Sequence, residues 1–265
     1  MNETLFKKYN VPVPRYTSYP TANEFEPFDA HRYIEAVETS NDAAADNISF
    51  YIHVPFCRHL CHYCGCNSVA MAQPKRIEEY FETLHKEIDL LLPHLRKDRC
   101  ISQIHYGGGS PSSMPLPLIR GINEHLLSAF STIDKPEIAI ECHPGYLESN
   151  DWQYLLDSGF NRFSLGIQDF NTDVLRTVNR QPSLLPVADI MEILRKGGAK
   201  VNFDFIYGLP KQTAKRPTPP CRRVLWHICG HFAASRSLSD IQLRPPSKPF
   251  QAANDFGKSG TSTAN

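Results

Sequence analysis

The 265-residue chain predicts an α/β fold. The expected architecture is a partial, open (β/α) barrel with parallel strands, an N-terminal extended arm and a disordered C-terminal tail. Three observations point to it. Between residues 47 and 208, five short runs rich in β-branched and aromatic residues alternate with five stretches of helical spacing. Such alternation demands a parallel sheet with helices packed outside it. A complete eightfold barrel needs about 250 residues for its repeats alone, so five units make only part of one. Finally, a polar cluster follows each strand, where folds of this kind place their chemistry.

The elements follow in order. Residues 1–46 read as arm plus helix. Four prolines in 1–28 deny a long helix, and "RYTSYP" and "FEPF" supply aromatics for packing. "DAHRYIEAVETS" (29–40) has a capping Asp29 and helical spacing. The barrel spans 47–213, with strands at 47–56, 101–106, 137–142, 162–168 and 200–208. Helices fall at 76–95, 117–130, 150–159, 171–179 and 184–198, the last stopped by Gly197 and Gly198.

Residues 214–265 change character. They hold two of the 28 acidic residues, eight of the 28 basic ones and six of the 21 prolines. Apart from "RRVLWHICGHFAA" (222–234) they lack any period, and this composition buries too little apolar surface to offset its ordering. A reading-frame change near residue 214 is the simplest account. It predicts an aberrant tail and a fifth barrel strand left as an open edge. Cys221, His227, Cys229 and His231 offer zinc donors without knuckle spacing.

Charge is balanced, 28 basic against 28 acidic residues, so nothing marks nucleic acid or an anionic membrane as a partner. No apolar run is long enough to span a bilayer. The first twenty residues lack the regions of a signal peptide, so a cytoplasmic, reducing setting is expected. That setting argues against disulfides for the eight cysteines.

The densest chemistry is "CRHLCHYCGCN" (57–67). Cys57, Cys61 and Cys64 have the spacing C-x3-C-x2-C, and Cys66 follows. Two centres suit it. His53, His59 and His62 would complete a zinc site. A 4Fe–4S cube held by three thiolates would instead leave one iron open. The missing second knuckle favours the cube, and so does Cys66, too close to Cys64 to point at the same centre.

This loop, following a strand and with an aromatic before its third cysteine, resembles the radical S-adenosylmethionine superfamily. Within it, "PRYTSYPTA", "YIHVPFCRHLCHYCGCN", "HYGGGSPS", "IECHPG", "RFSLGIQDFN", "VNRQ" and "FDFIYGLPKQT" resemble the oxygen-independent coproporphyrinogen III oxidase family over residues 10–213. The resemblance implies a 4Fe–4S cluster on Cys57, Cys61 and Cys64, and two molecules of S-adenosyl-L-methionine. One electron cleaves the first to a radical that takes hydrogen from a propionate. The reaction implied is oxidative decarboxylation of coproporphyrinogen III to protoporphyrinogen IX in haem biosynthesis.

Site residues carry over by position. Cys66 matches a non-ligand cysteine beside the reaction, and Tyr51 and Tyr63 flank the first cofactor. Gly108 contacts the first cofactor, and Gly109 and Ser110 the second. Glu141 binds the cofactor's ammonium or ribose. Gln168, Arg180 and Asp204 hold the second molecule. Arg15, Tyr16 and Tyr19 of the arm are candidates for the substrate's carboxylates. Cys142 replaces the family's usual Asp, and His143 a small residue.

The implied partners are the porphyrinogen and a flavodoxin- or ferredoxin-type electron donor, with the chain a monomer. The alternative is a haem-chaperone-like relative that binds haem without decarboxylation. "CGCN" and the arm favour the oxidase reading. Its C-terminal departure predicts little turnover from this chain alone.

Overall fold

The computed structural model describes residues 4, 8, 24–43, 46–213 and 241–244. Arg15, Tyr16 and Tyr19 of the arm lie outside the described residues, as do the helical period at 222–234, the Cys221–His231 donors and nearly all of the expected tail.

The chain divides into two units, Met1–Ala43 and Ala44–Asn265. The first holds helix α1 (Ala30–Ala43). Asp29 begins it as expected: its Oδ1 accepts from the Arg32 amide at 2.9 Å. Phe28 meets Tyr33 edge-on at 6.5 Å, with the Arg32 guanidinium 5.3 Å above the Phe28 ring.

The second unit carries the sheet. Strands β1 (Asn47–Val54), β4 (Cys100–Gly108), β5 (Thr132–Cys142), β6 (Arg162–Gln168), β7 (Lys200–Ile206) and β8 (Ile241–Arg244) pair in that order. Every pairing is parallel. A two-stranded ladder of β2 (Phe56–Cys57) and β3 (Val69–Ala70) stands apart from it. Helices α2 (Pro74–Leu91), α3 (Leu116–Ala129), α4 (Ser149–Asp157), α5 (Thr172–Thr177) and α6 (Val187–Lys196) fill the connections.

One expectation is corrected. The β7 edge is not open: Phe203, Asp204, Phe205 and Ile206 pair with Ile241, Gln242, Leu243 and Arg244. The backbone donors and acceptors of that edge outweigh the weak strand signal of "IQLR". β5 also starts earlier than its apolar run, at Thr132, because the β4 neighbour extends the ladder back to it.

β6 alternates in burial along its whole length, half-buried then buried, which is unusual for a parallel strand. Phe163, Leu165 and Ile167 point under the helices, beside Ile140, Trp152, Leu155 and Ile190. The fully buried Trp152 and Phe163 rings lie 6.3 Å apart. Truncating such an aromatic typically costs about 3–5 kcal/mol. The opposite face carries Ser49, Tyr51 and His53 on β1, His105 and Gly107 on β4, and Glu141 on β5. Ser164, Gly166, Asn202 and Asp204 continue it on β6 and β7. These small and polar residues are what a lumen requires, and the functional candidates stand on it.

Candidate cluster and cofactor site

The cysteine loop is closed at its base by the β2–β3 ladder. The Val69 amide donates to the Pro55 carbonyl and the Met71 amide to the Cys57 carbonyl, both at 2.8 Å. Between them residues 58–68 loop out, carrying Cys61, Cys64 and Cys66. The Cys64 amide donates to the Cys61 carbonyl at 3.0 Å, a single tight turn.

The segment after α5 grips this loop. The His62 amide donates to the Val178 carbonyl at 3.1 Å. Asn179 Nδ2 donates to the Leu60 carbonyl at 3.0 Å from a left-handed backbone, φ +56°, a conformation Asn tolerates. Arg180 donates from Nη1 to Cys61 Sγ at 3.5 Å and from Nη2 to the Gly166 carbonyl. The Tyr63 ring lies against the small apolar cluster of Val174, Val178, Ile206 and Leu209, so it anchors the loop as well.

The described cysteines are all free thiols. A hydrogen bond from Cys66 lowers the Cys64 thiol to about 6, while the same bond raises Cys66. Burial raises Cys57. Among the described residues, no three His, Cys, Asp or Glu side chains converge on one point as a single metal ion would need. A cubane asks something different, because each thiolate meets its own iron around the cube. Three soft thiols spread along one loop, with a guanidinium at the middle one, fit that group.

The lumen-facing residues gather beside the loop. Tyr51 stacks on His105, centroids 5.9 Å apart and planes 17° from parallel. Glu141 Oε1 lies 3.5 Å from His105 Nε2. A Cβ at Gly107 would stand 3.0 Å from the Tyr51 ring and 3.3 Å from the Glu141 carboxyl, so the glycine lets the two meet. Burial, then Glu141 and Cys66, raise the Tyr51 phenol, which puts those groups on one rim.

His53 Nε2 lies 2.9 Å from the Asn67 carbonyl. A carbonyl only accepts, so Nε2 carries the hydrogen, and Nδ1 accepts from the Tyr51 hydroxyl at 3.1 Å.

Gln168 and Arg180 form the far wall. Gln168 has φ +64°, strained for a residue with a Cβ, and its buried Oε1 has no hydrogen-bond partner. Gly166 makes room for both: a Cβ there would meet Arg180 Nη2 at 2.7 Å and Gln168 Nε2 at 3.0 Å. An orphaned acceptor beside a buried guanidinium is what a polar cofactor would complete. Asp204 is held by Ser164 Oγ at 3.1 Å and Asn202 Nδ2 at 3.1 Å.

The glycine run is pressed against protein on its Cβ side. A Cβ on Gly108, at φ +112°, would strike the His53 ring at 2.8 Å. One on Gly109 would strike the Pro55 carbonyl at 2.7 Å and that of Phe56 at 2.8 Å. Their missing side chains admit neighbouring protein groups. Ser110 donates its amide to the Phe56 carbonyl at 2.9 Å, and its buried hydroxyl pairs with Ser113 Oγ at 2.7 Å. The run shapes the rim and leaves Ser110 turned inward.

Sequence reasoning passed over His105, Ser164 and Asn202, and took His53 only as a zinc donor. The signal for His105 was present: it is the same-face residue of the strand beside Tyr51, its register partner.

Comparison with known proteins follows this geometry. The family model described as the radical SAM superfamily matches residues 51–217, and the chain belongs to that superfamily. Membership implies a 4Fe–4S cluster and S-adenosylmethionine. The relatives are more particular. The chain is 38% identical over 253 residues to the oxygen-independent coproporphyrinogen III oxidase of Salmonella typhimurium, covering 90% of this chain and 54% of that protein. It is 36% identical over 256 residues to the enzyme of the same name from Escherichia coli, covering 91% and 55%. The solved structure of Escherichia coli coproporphyrinogen III oxidase, titled a radical SAM enzyme, superposes with a TM-score of 0.71 at 33% identity. That match covers 92% of this chain and 52% of the other. The chain spans about half the length of the relatives it matches.

Proposed function

We propose that this chain carries the cluster-binding and nucleotide-binding part of an oxygen-independent coproporphyrinogen III oxidase. Cys57, Cys61 and Cys64 hold the cluster in this reading, and Cys66 stands beside it as a reaction-side thiol. Tyr51 and Glu141 bind the first nucleotide cofactor. Gln168, Arg180 and Asp204 bind the second. Gly108, Gly109 and Ser110 shape the rim that both share.

When bound, the cluster would supply the electron that opens the sulfonium nucleotide, so that a hydrogen could be taken from a propionate, which would form a vinyl group by losing carbon dioxide and passing one electron to an external acceptor. The chain's own residues position and exclude. Arg180 places a positive charge beside the Cys61 sulfur and fixes that side chain's position. Glu141 offers a carboxylate to an ammonium. Gln168 Oε1, buried without a partner, offers an acceptor to a bound donor. Tyr51 supplies an aromatic face.

The reading rests most on one observation: Arg180 spans the cysteine loop and the β6 carbonyl beside the orphaned Gln168 oxygen. The partners are then the porphyrinogen and a one-electron donor of flavodoxin or ferredoxin type. Anaerobic reconstitution with iron and sulfide tests it. A brown chromophore and dithionite-dependent cleavage of S-adenosylmethionine are expected. Uptake of zinc in preference to iron, with no chromophore, defeats it.

A further inference from the structure

Cys142 and His143, the two departures from the resembling family at the end of β5, open onto a turn that reaches the cysteine loop. This turn, Pro144–Tyr146, is fixed from three sides. The His143 amide donates to Ser112 Oγ at 3.0 Å, and the Gly145 amide to His143 Nδ1 at 3.1 Å. The Leu184 amide donates to the Pro144 carbonyl at 3.0 Å. A Cβ on Gly145 would stand 2.6 Å from the Pro182 carbonyl, so the turn has no slack.

From this base Tyr146 enters a stack. Its ring lies 4.2 Å from His143, planes 28° apart. Its hydroxyl end meets the His59 ring, centroids 6.0 Å apart and planes 14° apart. The Arg58 guanidinium stands 5.0 Å from the Tyr146 centroid. The Tyr146 hydroxyl pairs with His59 Nδ1 at 2.6 Å. Arg58 and His59 lie between Cys57 and Cys61, and both are exposed apart from these contacts.

The other half of the loop is held by the backbone and side chains of Val178–Arg180, as described above. Between Cys57 and Cys61 the Leu60 carbonyl is held by Asn179 Nδ2, and the side chains of Arg58 and His59 are held by Tyr146. We propose that Tyr146, stacked on His143 and hydrogen-bonded to His59, is a positioning residue that helps set the Cys57–Cys61 half of the loop for the iron–sulfur cluster. The proposal rests on the cluster reading of the loop. Burial raises the Tyr146 phenol, with Cys61 the next cause, so the hydroxyl stays neutral in its pairing with His59.

The test uses the 265-residue chain, reconstituted anaerobically with ferrous iron and sulfide, as wild type and as Tyr146→Ala, Tyr146→Phe and His59→Ala. Two quantities are followed: the rate at which a ferrous chelator strips the cluster, and the electron paramagnetic resonance spectrum of the dithionite-reduced protein. Loss of a group that orients metal ligands weakens retention, so Tyr146→Ala and His59→Ala should release iron about tenfold faster. Their resonance should split into more than one species, with far-ultraviolet circular dichroism unchanged. Tyr146→Phe keeps the His143 stack but loses the hydroxyl that reaches His59, so its iron release should rise toward that of Tyr146→Ala. Should Tyr146→Ala not fold, His59→Ala decides, because that side chain is exposed. Wild-type release rates and a single wild-type spectrum in both would overturn the proposal, as would equal loss of helix in both. Failure of the wild-type chain itself to take up iron would overturn the cluster reading instead, and this proposal with it.

Discussion

Arg180 Nη1 donates to Cys61 Sγ at 3.5 Å, although the two residues are 119 positions apart in the chain. The same guanidinium holds the Gly166 carbonyl. One side chain therefore joins the cluster loop to the sheet, and its planar fork is what makes both bonds at once. Arg180→Lys should keep the charge and lose the fork. We expect iron content near wild type, but S-adenosylmethionine affinity lower by about 10-fold or more, since one point charge cannot serve two acceptors. Isothermal titration of the reconstituted protein checks this. Wild-type affinity would assign Arg180 to packing alone.

The three presumptive ligands should separate cleanly from the fourth cysteine. Cys57→Ala, Cys61→Ala and Cys64→Ala should each lose most of the roughly four irons per chain that a cubane brings. Cys66→Ala should retain them, because its thiol bonds Cys64 rather than replacing it. Iron and acid-labile sulfide analysis is the measurement. Iron loss in Cys66→Ala equal to that in Cys64→Ala would make Cys66 a ligand.

Glycines give predictions of opposite sign. Gly109→Ala drives a Cβ to within 2.7 Å of the Pro55 backbone, which cannot rotate away. It should cost about 1–3 kcal/mol and disturb the cysteine loop beside it. Gly121 lies inside α3, where a Cβ would find only the His85 ring, at 3.7 Å. Gly121→Ala should stabilise by roughly 0.5–1 kcal/mol through helix propensity. Chemical denaturation midpoints of the two variants decide both.

A histidine pair outside the site sets a pH dependence. His85 Nδ1 and His125 Nδ1 lie 2.8 Å apart, so one donates and the other accepts. Asp89 Oδ1 lies 3.1 Å from His125 Nε2, which makes that nitrogen the protonated one and leaves His125 Nδ1 as acceptor. His85 must donate. Burial, then the nearness of His125, lower His85 below its ordinary 6.5. The folded state disfavours the extra proton, while the unfolded chain takes it up near 6.5. Stability from this pair is therefore present above that value and lost as pH falls through it. Between about pH 7 and pH 5 the thermal midpoint should fall more steeply in wild type than in His85→Gln, which keeps a donor without titrating. Parallel curves would remove the pair from the account.

Coproporphyrinogen III is the substrate of the proposed reading, and the chain matches 54% of its Salmonella relative. We expect reductive cleavage of S-adenosylmethionine without measurable conversion of coproporphyrinogen III by this chain alone. Chromatography of the porphyrin products after anaerobic incubation tests it, and conversion at a rate comparable to full-length relatives would refute it.

Much of this was legible in the residues. C-x3-C-x2-C announces its chemistry because the spacing along a loop itself limits what three thiolates can wrap. The alternation of "RFSLGIQ" gave β6 to the residue, since side chains on a strand alternate faces whatever the partner. Asp29 named its helix start by its chemistry. The glycine run was legible as a special place, but the protein groups packed on its Cβ side were not. Whether a missing Cβ admits a ligand or the Pro55 backbone depends on what stands opposite, which local sequence does not carry.

By itself, the sequence determined the element order, the parallel sheet and the cluster loop, because periodicity and ligand spacing are local properties of a chain. Only the tertiary structure decided that Arg180 reaches Cys61, that the Tyr146 hydroxyl bonds His59 and that Ile241–Arg244 covers the β7 edge. Those contacts join residues from 38 to 119 positions apart, and a distance of that kind is set by how strands and helices pack.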